Sequence, residues 1–376
     1  MGQGVSSEVL QQRLGRATQA AETAGVDALF VTPGADLRYL TGYEALPLER
    51  LTCLVLPARG EPVLVVPRLE HAAAEASGAG DVVKIATHEE TDDAFALAAG
   101  LARDALGGDP ATVGVADRMW AEHVLRFRSA LPHAHQVTAG RVLRPLRLVK
   151  QPDEVDALRR AGAAIDRVHE RMGEWLRPGR TEAQVARDIV DAIVEEGHAT
   201  VNFTIVASGP NGASPHHHTS DRVIEAGDPV VVDIGGTMPD GYCSDCTRTY
   251  VAGGTVDPEF ARYYDVLLAA QIASCAAVRP GVTAASVDAA ARDVITDGGY
   301  GEYFVHRTGH GIGLEEHEEP WIVAGNSTVL AEGMAFSIEP GIYLPGRHGA
   351  RIEDIVVVTG DGVERLDTCP RELRVL

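Results

Sequence analysis

The sequence predicts two domains of different class: an α/β domain over residues 1–145 and an α+β domain with a largely antiparallel sheet over residues 150–376. Three observations carry this. A chain of 376 residues has the length of about two domains. In the first 145 residues short apolar runs alternate with helical patterns, as layered α/β structure requires. Beyond them, two helical patterns give way to strands and helices gathered in blocks, which suits an antiparallel sheet.

Along the first domain, residues 8–25 space Leu, Val and Ala among Arg and Gln, as an amphipathic helix does. Ala28-Leu29-Phe30-Val31 reads as a short buried strand closed by Thr32-Pro33-Gly34. Apolar runs at 51–56 and 63–66 flank the turn sequence from Pro57 to Pro62. A helical stretch near 68–77, a strand near 82–86, an alanine-rich helix over 91–106 and a strand near 112–115 follow. The second domain opens with Gln151-Pro152-Asp153-Glu154 and a helix running from Lys150 to Arg177. There Val155, Leu158, Ala161, Ala164, Ile165, Val168 and Met172 recur every three to four residues. Thr181 caps a second helix reaching about Glu196. Strands are expected over 201–207, 230–234, 242–251, 334–344 and 351–358, with helices near 257–278 and 284–297 between them.

Charged residues make up 23% and hydrophobic residues 45% of the chain, the balance of a globular protein. A formal charge of −21 repels phosphate backbones and anionic headgroups, which argues against nucleic acid and membrane as partners. Apolar runs stay shorter than the roughly 18 residues that span a bilayer as a helix. Met1 to Ser6 lacks the basic and apolar regions of a secretory leader, and Gly2 with Ser6 fits only a loose myristoylation pattern. The five cysteines, Cys53, Cys243, Cys246, Cys275 and Cys369, are odd in number and scattered. They read as reduced thiols of a cytoplasmic protein.

Four carboxylates stand where a solvated face does not explain them. Asp233 follows Val230-Val231-Val232, and Asp245 ends Tyr242-Cys243-Ser244-Asp245. Glu339 is embedded between Ala335 and Pro340, and Glu353 precedes the apolar run beginning at Ile355. An ionised carboxylate at the core end of a strand is costly unless it is paired or metal-bound. One alone reads as a salt-bridged structural acid; four in one domain, with histidines, point to metal. The histidines are His216-His217-His218, in a loop after Gly209-Pro210-Asn211-Gly212, and His306, His310 and His317. Gly309, Gly311 and Gly313 argue against a zinc-binding helix through His306 and His310, and they do not meet the dinucleotide pattern. Cys243 and Cys246 form a CxxC in a strand context with no second pair, which reads as incidental. Two divalent ions would neutralise four carboxylates that otherwise repel and take up protons. Oxygen-rich ligation with one or two imidazoles suits Mn²⁺, Co²⁺ or Zn²⁺. Paired ions that acidify a bridging water and polarise a carbonyl perform metal-assisted hydrolysis.

Together these motifs resemble the pita-bread metallopeptidases, in the proline-dipeptidase and aminopeptidase P branch that includes creatinase, and within it the actinobacterial Xaa-Pro dipeptidases. The run Asp36-Leu37-Arg38-Tyr39-Leu40-Thr41-Gly42-Tyr43 looks like the creatinase-type N-terminal domain. The resemblance therefore implies a creatinase-like α/β domain over 1–145 and a pita-bread catalytic domain over 150–376. It implies two divalent ions per subunit, Mn²⁺ foremost, held by Asp233, Asp245, His310, Glu339 and Glu353. Asp233 would bind one ion, His310 and Glu339 the other, and Asp245 and Glu353 would bridge. Glu339 would also take the proton of the attacking water. His216 would meet the substrate near the scissile bond, and His317 would stabilise the tetrahedral intermediate or help the proline nitrogen leave. His306 would shape the pocket, and Arg351 would steady ligand carboxylates. Asp233 and Asp245 are 12 residues apart, one more than is usual in the family. The extra residue falls in the turn from Gly236 to Gly241, where insertions are tolerated, and Ser244 to Thr249 keep the family pattern. His217 and His218 read as loop residues.

The resemblance implies cleavage of the Xaa-Pro bond of dipeptides by metal-bridged hydroxide attack. The substrate is a small peptide with proline second. In the resembling dipeptidases two subunits pair, with the N-terminal domain of one reaching toward the other's catalytic mouth, so a homodimer is expected. The alternative is an aminopeptidase P acting on longer peptides. A dipeptidase must read the substrate's free carboxylate, for which Arg38, Arg347 and Tyr343 are candidates. A metal-free creatinase-like hydrolase and a non-catalytic peptide-binding module fit less well, because all five ligand positions are filled.

Overall fold

The computed structural model describes residues 5–376, so Gly2 of the N-terminal pattern lies outside the described residues. The chain divides into two compact units between Arg147 and Leu148. In the first, six strands form one sheet: β1 (Ala28–Val31), β2 (Cys53–Pro57), β3 (Val63–Pro67), β4 (Lys84–His88), β5 (Thr112–Val115) and β6 (His135–Thr138). Their order is β4-β3-β2-β1-β5-β6. β1, β2 and β3 run antiparallel, because the link from Pro57 to Val63 is too short for a crossover. β4, β5 and β6 join in parallel through helices. The alternation in the sequence thus produces a mixed sheet. Its helices are α1 (Ser7–Thr23), α2 (Ala35–Thr41), α3 (His71–Ala76), α4 (Ala94–Leu106), α5 (Ala121–Ala130) and α6 (Gly140–Leu148). Asp93 caps α4 by accepting from the backbone N–H groups of Phe95 and Ala96, both at 3.1 Å. The helix then buries Phe95 with Phe30 and Phe127, whose rings lie 4.4 Å apart.

The second unit opens with α7 (Pro152–Glu170) and α8 (Glu182–Glu195). α7 stops short of the expected Arg177: Gly173, a poor helix former, sits in a single 3-10 turn over Met172–Glu174. α8 starts from a reciprocal cap in which Thr181 Oγ1 accepts from Gln184 N and Gln184 Oε1 accepts from Thr181 N. The strands are β7 (Thr200–Ser208), β8 (Pro229–Thr237), β9 (Cys243–Val251), β10 (Gly309–Gly311), β11 (Glu318–Ile322), β12 (Ala335–Ile338), β13 (Gly341–Leu344), β14 (His348–Arg351), β15 (Asp354–Val358), β16 (Val363–Arg365) and β17 (Arg374–Val375). They make sheets of order β17-β9-β8-β7 and β11-β10-β12-β15-β16, with β13-β14 as a separate ribbon. Every described pairing here is antiparallel except β17 with β9. α9 (Pro258–Ala277) and α10 (Ala284–Asp297) interrupt the strands, as the sequence suggests. No described helix is long and apolar enough to cross a membrane.

Two expected strands are each divided. The run 334–344 splits into β12 and β13, which belong to different sheets, because Pro340 has no N–H to continue a ladder. The run 351–358 splits between Arg351 and Asp354. Glu339 and Glu353 therefore sit at strand breaks, where backbone and side chain can turn into the interior.

Candidate metal centre

Asp233 lies on β8 and Asp245 on β9. The register places Asp245 opposite Gly235, two residues beyond Asp233, so both carboxylates project from one face. A Cβ on Gly235 would lie 2.6 Å from the Phe203 ring, so a glycine here keeps that face open. From the other sheet, β10 brings His310, the end of β12 brings Glu339, and the start of β15 brings Glu353. Ligand atoms of Asp233, Asp245 and Glu353 lie within 4.8 Å of one another, and so do those of His310, Glu339 and Glu353. The resemblance implies Asp245 and Glu353 shared between both groupings; here Glu353 is common to the two clusters and Asp245 belongs to the first. A third triad, Asp245 with His310 and His317, meets the same criterion.

The surrounding bonds orient these donors. His310 Nδ1 donates to Gly311 O at 3.1 Å, which directs its Nε2 lone pair toward Glu339 at 3.3 Å and Asp245 at 3.6 Å. Ser337 Oγ donates to Glu339 Oε1 at 3.1 Å, and Thr247 Oγ1 donates to Glu353 Oε2 at 2.7 Å. Arg351 is ion-paired with Asp233 Oδ2 and donates to Thr247 Oγ1 at 3.1 Å. Burial raises the Asp245 and Glu353 carboxyls well above their ordinary range, and the neighbouring carboxylates push them further. Burial also lifts Glu339 to about 7, with Asp233 adding to the effect and Arg351 and Ser337 opposing it. His310 is lowered to about 3 by burial and by His317. Asp233 Oδ1 is buried without a hydrogen-bond partner among the described residues. A neutral imidazole lone pair, an orphaned carboxylate oxygen and three carboxyls too crowded to ionise together are what a cation would satisfy. The residues fit divalent metal.

These groups line a cavity of about 570 Å³, within the range of small-ligand sites. His216, His306 and His317 line it too, as does Arg351, so each expected metal ligand and catalytic residue reaches this one cavity, whereas the candidate carboxylate readers do not line it. The His317 ring lies 4.0 Å from that of His310. Both nitrogens of His306 are engaged: Nδ1 lies 2.7 Å from Arg307 O and Nε2 lies 2.9 Å from Tyr343 OH. Tyr343 accepts from Arg351 Nη1 at 2.8 Å, and burial pushes its phenol up to about 12, so it keeps a proton to give His306. That makes His306 a neutral wall of the pocket. Of the candidate carboxylate readers, Tyr343 is thus committed to His306 and Arg351. Arg347 pairs with Glu259, and Arg38 with Glu44 in the first unit. Phe203, Ile205, Arg307 and Glu316 line the cavity without having been singled out in the sequence. Arg307 sits 4.5 Å over the Trp321 ring, a contact that no short-range pattern announces.

Comparison with known proteins agrees with this centre. Residues 156–360 match metallopeptidase family M24, and residues 13–149 match the creatinase/prolidase N-terminal domain. The chain is 56% identical over 371 residues to the probable dipeptidase PepE of Mycobacterium tuberculosis, covering 98% of this chain and 97% of that one. It is 36% identical to the Xaa-Pro dipeptidase of Lactobacillus helveticus, over 96% of this chain and 98% of the other. The crystal structure of a prolidase from Thermococcus sibiricus superposes with a TM-score of 0.91 at 36% identity, covering 100% of both chains. Four crowded carboxylates and a histidine on a pita-bread scaffold, preceded in the sequence by a creatinase-type N-terminal domain, place this chain in metallopeptidase family M24.

Proposed function

We propose that this metallopeptidase is an Xaa-Pro dipeptidase whose catalytic domain spans residues 150–376. The observation that carries the reading is the donor set: Asp233, Asp245, Glu353, Glu339 and His310 Nε2 converge on one cavity. In this reading they hold two divalent ions, and a donor set of carboxylate oxygens with one imidazole favours Mn²⁺. Such ions acidify water and polarise a scissile carbonyl.

The chain's own residues supply the rest. Glu339, which lines the cavity beside His310, takes the proton of the attacking water and returns it to the prolyl nitrogen as the C–N bond breaks. That nitrogen carries no hydrogen in an Xaa-Pro bond, so its departure depends on such a donor. His216 and His317 face the cavity and stabilise the oxygen that gains charge in the transition state. Arg351, held by Tyr343 and Pro215 O, keeps Asp233 oriented through their ion pair. Phe203 and Ile205 give the wall an apolar stretch for the proline ring. Arg307 offers a cation to an anionic group of a short substrate.

The names of the relatives, probable dipeptidase PepE and Xaa-Pro dipeptidase, support dipeptidase action. We further propose a homodimer. Turnover of Ala-Pro against Ala-Pro-Ala tests the substrate class. Cleavage of Ala-Pro with little or none of the tripeptide is expected, and preference for the tripeptide would identify an aminopeptidase P instead.

A further inference from the structure

We infer that Glu182 is a positioning residue that fixes the 208–220 segment and, through it, sets His216 against the cavity. Glu182 is the first residue of α8 and has no solvent exposure. Its carboxylate receives six donors, all from that segment. Oε1 accepts from Ser208 N and Ser208 Oγ, both at 2.7 Å, and from Asn211 Nδ2 at 3.0 Å. Oε2 accepts from Ser220 Oγ at 2.7 Å and Ser220 N at 3.1 Å, and lies 2.9 Å from His217 Nε2. Burial raises this carboxyl, but the bonds from Ser220, Ser208 and Asn211 outweigh it and hold the group at about 2, so it stays ionised. Its place at a helix N-terminus favours the same charge. Between Ser208 and Ser220 the chain has no regular structure beyond a 3-10 turn over Gly209–Ala213. The opposite side of the segment is tied to the metal centre, where Arg351 Nη1 donates to Pro215 O at 3.3 Å. The segment is therefore pinned between Glu182 and Arg351, and His216, next to Pro215, is the side chain it presents to the cavity. His217 serves the anchor and not the substrate. In Glu182→Gln an amide would face the Ser220 N–H or the Ser208 N–H with a donor, leaving one of them unsatisfied.

This inference rests on the reading of His216 given above, and the test separates the two. Mn²⁺-loaded full-length protein is compared as wild type, Glu182→Gln, His216→Ala and the double variant. In Glu182→Gln, hydrogen exchange over 208–220 is expected to quicken by about tenfold or more, with β8, β9 and the bound metal unchanged. Turnover of Ala-Pro is expected to fall roughly tenfold to a hundredfold in kcat with KM little altered. In the His216→Ala background the same substitution should cost no more than about threefold, because the group it positions is gone. His217→Ala, which removes one of the six donors, should show the same signature more weakly and serves if Glu182→Gln does not fold. Unchanged exchange over 208–220, or equal losses of kcat in both backgrounds, would overturn the inference. Wild-type turnover in His216→Ala would sink the catalytic reading of His216 and its coupling to Glu182, while exchange would still report on the anchor itself.

Discussion

Burial and mutual repulsion hold Asp245, Glu339 and Glu353 protonated above the ordinary carboxylate range, so a cation must displace protons to bind there. His310, lowered to about 3, offers its lone pair without that competition. Metal affinity is therefore expected to tighten as pH rises through about 7, the value for Glu339, with protons released on binding. Calorimetry in two buffers of different ionisation enthalpy measures this, and affinity that weakens with rising pH would contradict it. The sign for stability is the reverse in metal-free protein. A carboxyl raised on folding leaves the native state holding more protons than the unfolded one, so stability falls as pH climbs through the raised value. Neutral buried histidines such as His306 oppose this only below about pH 6.5, so the fall should be clearest as pH rises from about 6.5 through about 7, the value for Glu339. Substitution separates the histidines. His310→Ala should lose metal, whereas His317→Ala should keep it and lose roughly a hundredfold or more in kcat. Elemental analysis of both variants decides, and equal metal loss would make His317 a ligand. The carboxylates and histidines were legible in the sequence because ionisable groups amid apolar strand runs are conspicuous. Glu182 and Arg307 were not, since Glu182 binds groups 26 to 38 residues away and Arg307 rests on Trp321 across β10 and β11.

At the scale of elements, close backbone approach explains the glycines around His310. A Cβ on Gly309 would run into the carbonyl oxygen of Ser337, a backbone atom of β12 that cannot swing aside. Gly309→Ala is expected to destabilise the fold by about 1–3 kcal/mol, as overpacking does, and to lower metal occupancy by separating β10 from β12. Thermal melting with metal analysis checks both, and a variant with native melting and full metal would contradict this close fit. Element type was read well from apolar period and caps, as at Thr181 and the helix over 284–297. Boundaries failed where a strand had to end for functional reasons. Periodicity alone carried 334–344 and 351–358 straight through, whereas Pro340 and the turn at Ile352-Glu353 divide them and aim Glu339 and Glu353 inward. The short strands β10, β16 and β17 had too few apolar residues to register a period.

For the whole molecule, the α/β and α+β classes could be foreseen because the first 145 residues alternate strand and helix while the rest segregates them; the creatinase-type and pita-bread folds were implied only by the resemblance of the motifs. The mixed order of the six-stranded sheet was hidden, since strand direction depends on connections that propensity does not encode. Assembly is the corresponding expectation. Light scattering should give twice the chain mass, and residues 150–376 alone should bind metal yet lose activity or selectivity; a fully active monomer would contradict the homodimer. Metal dependence remains the central claim, and one titration tests it most directly: Ala-Pro hydrolysis by full-length protein stripped with chelator and then supplied with Mn²⁺. Activity should be absent after stripping and return with about two ions per chain. Stripped protein that hydrolyses Ala-Pro at the undiminished rate would contradict it.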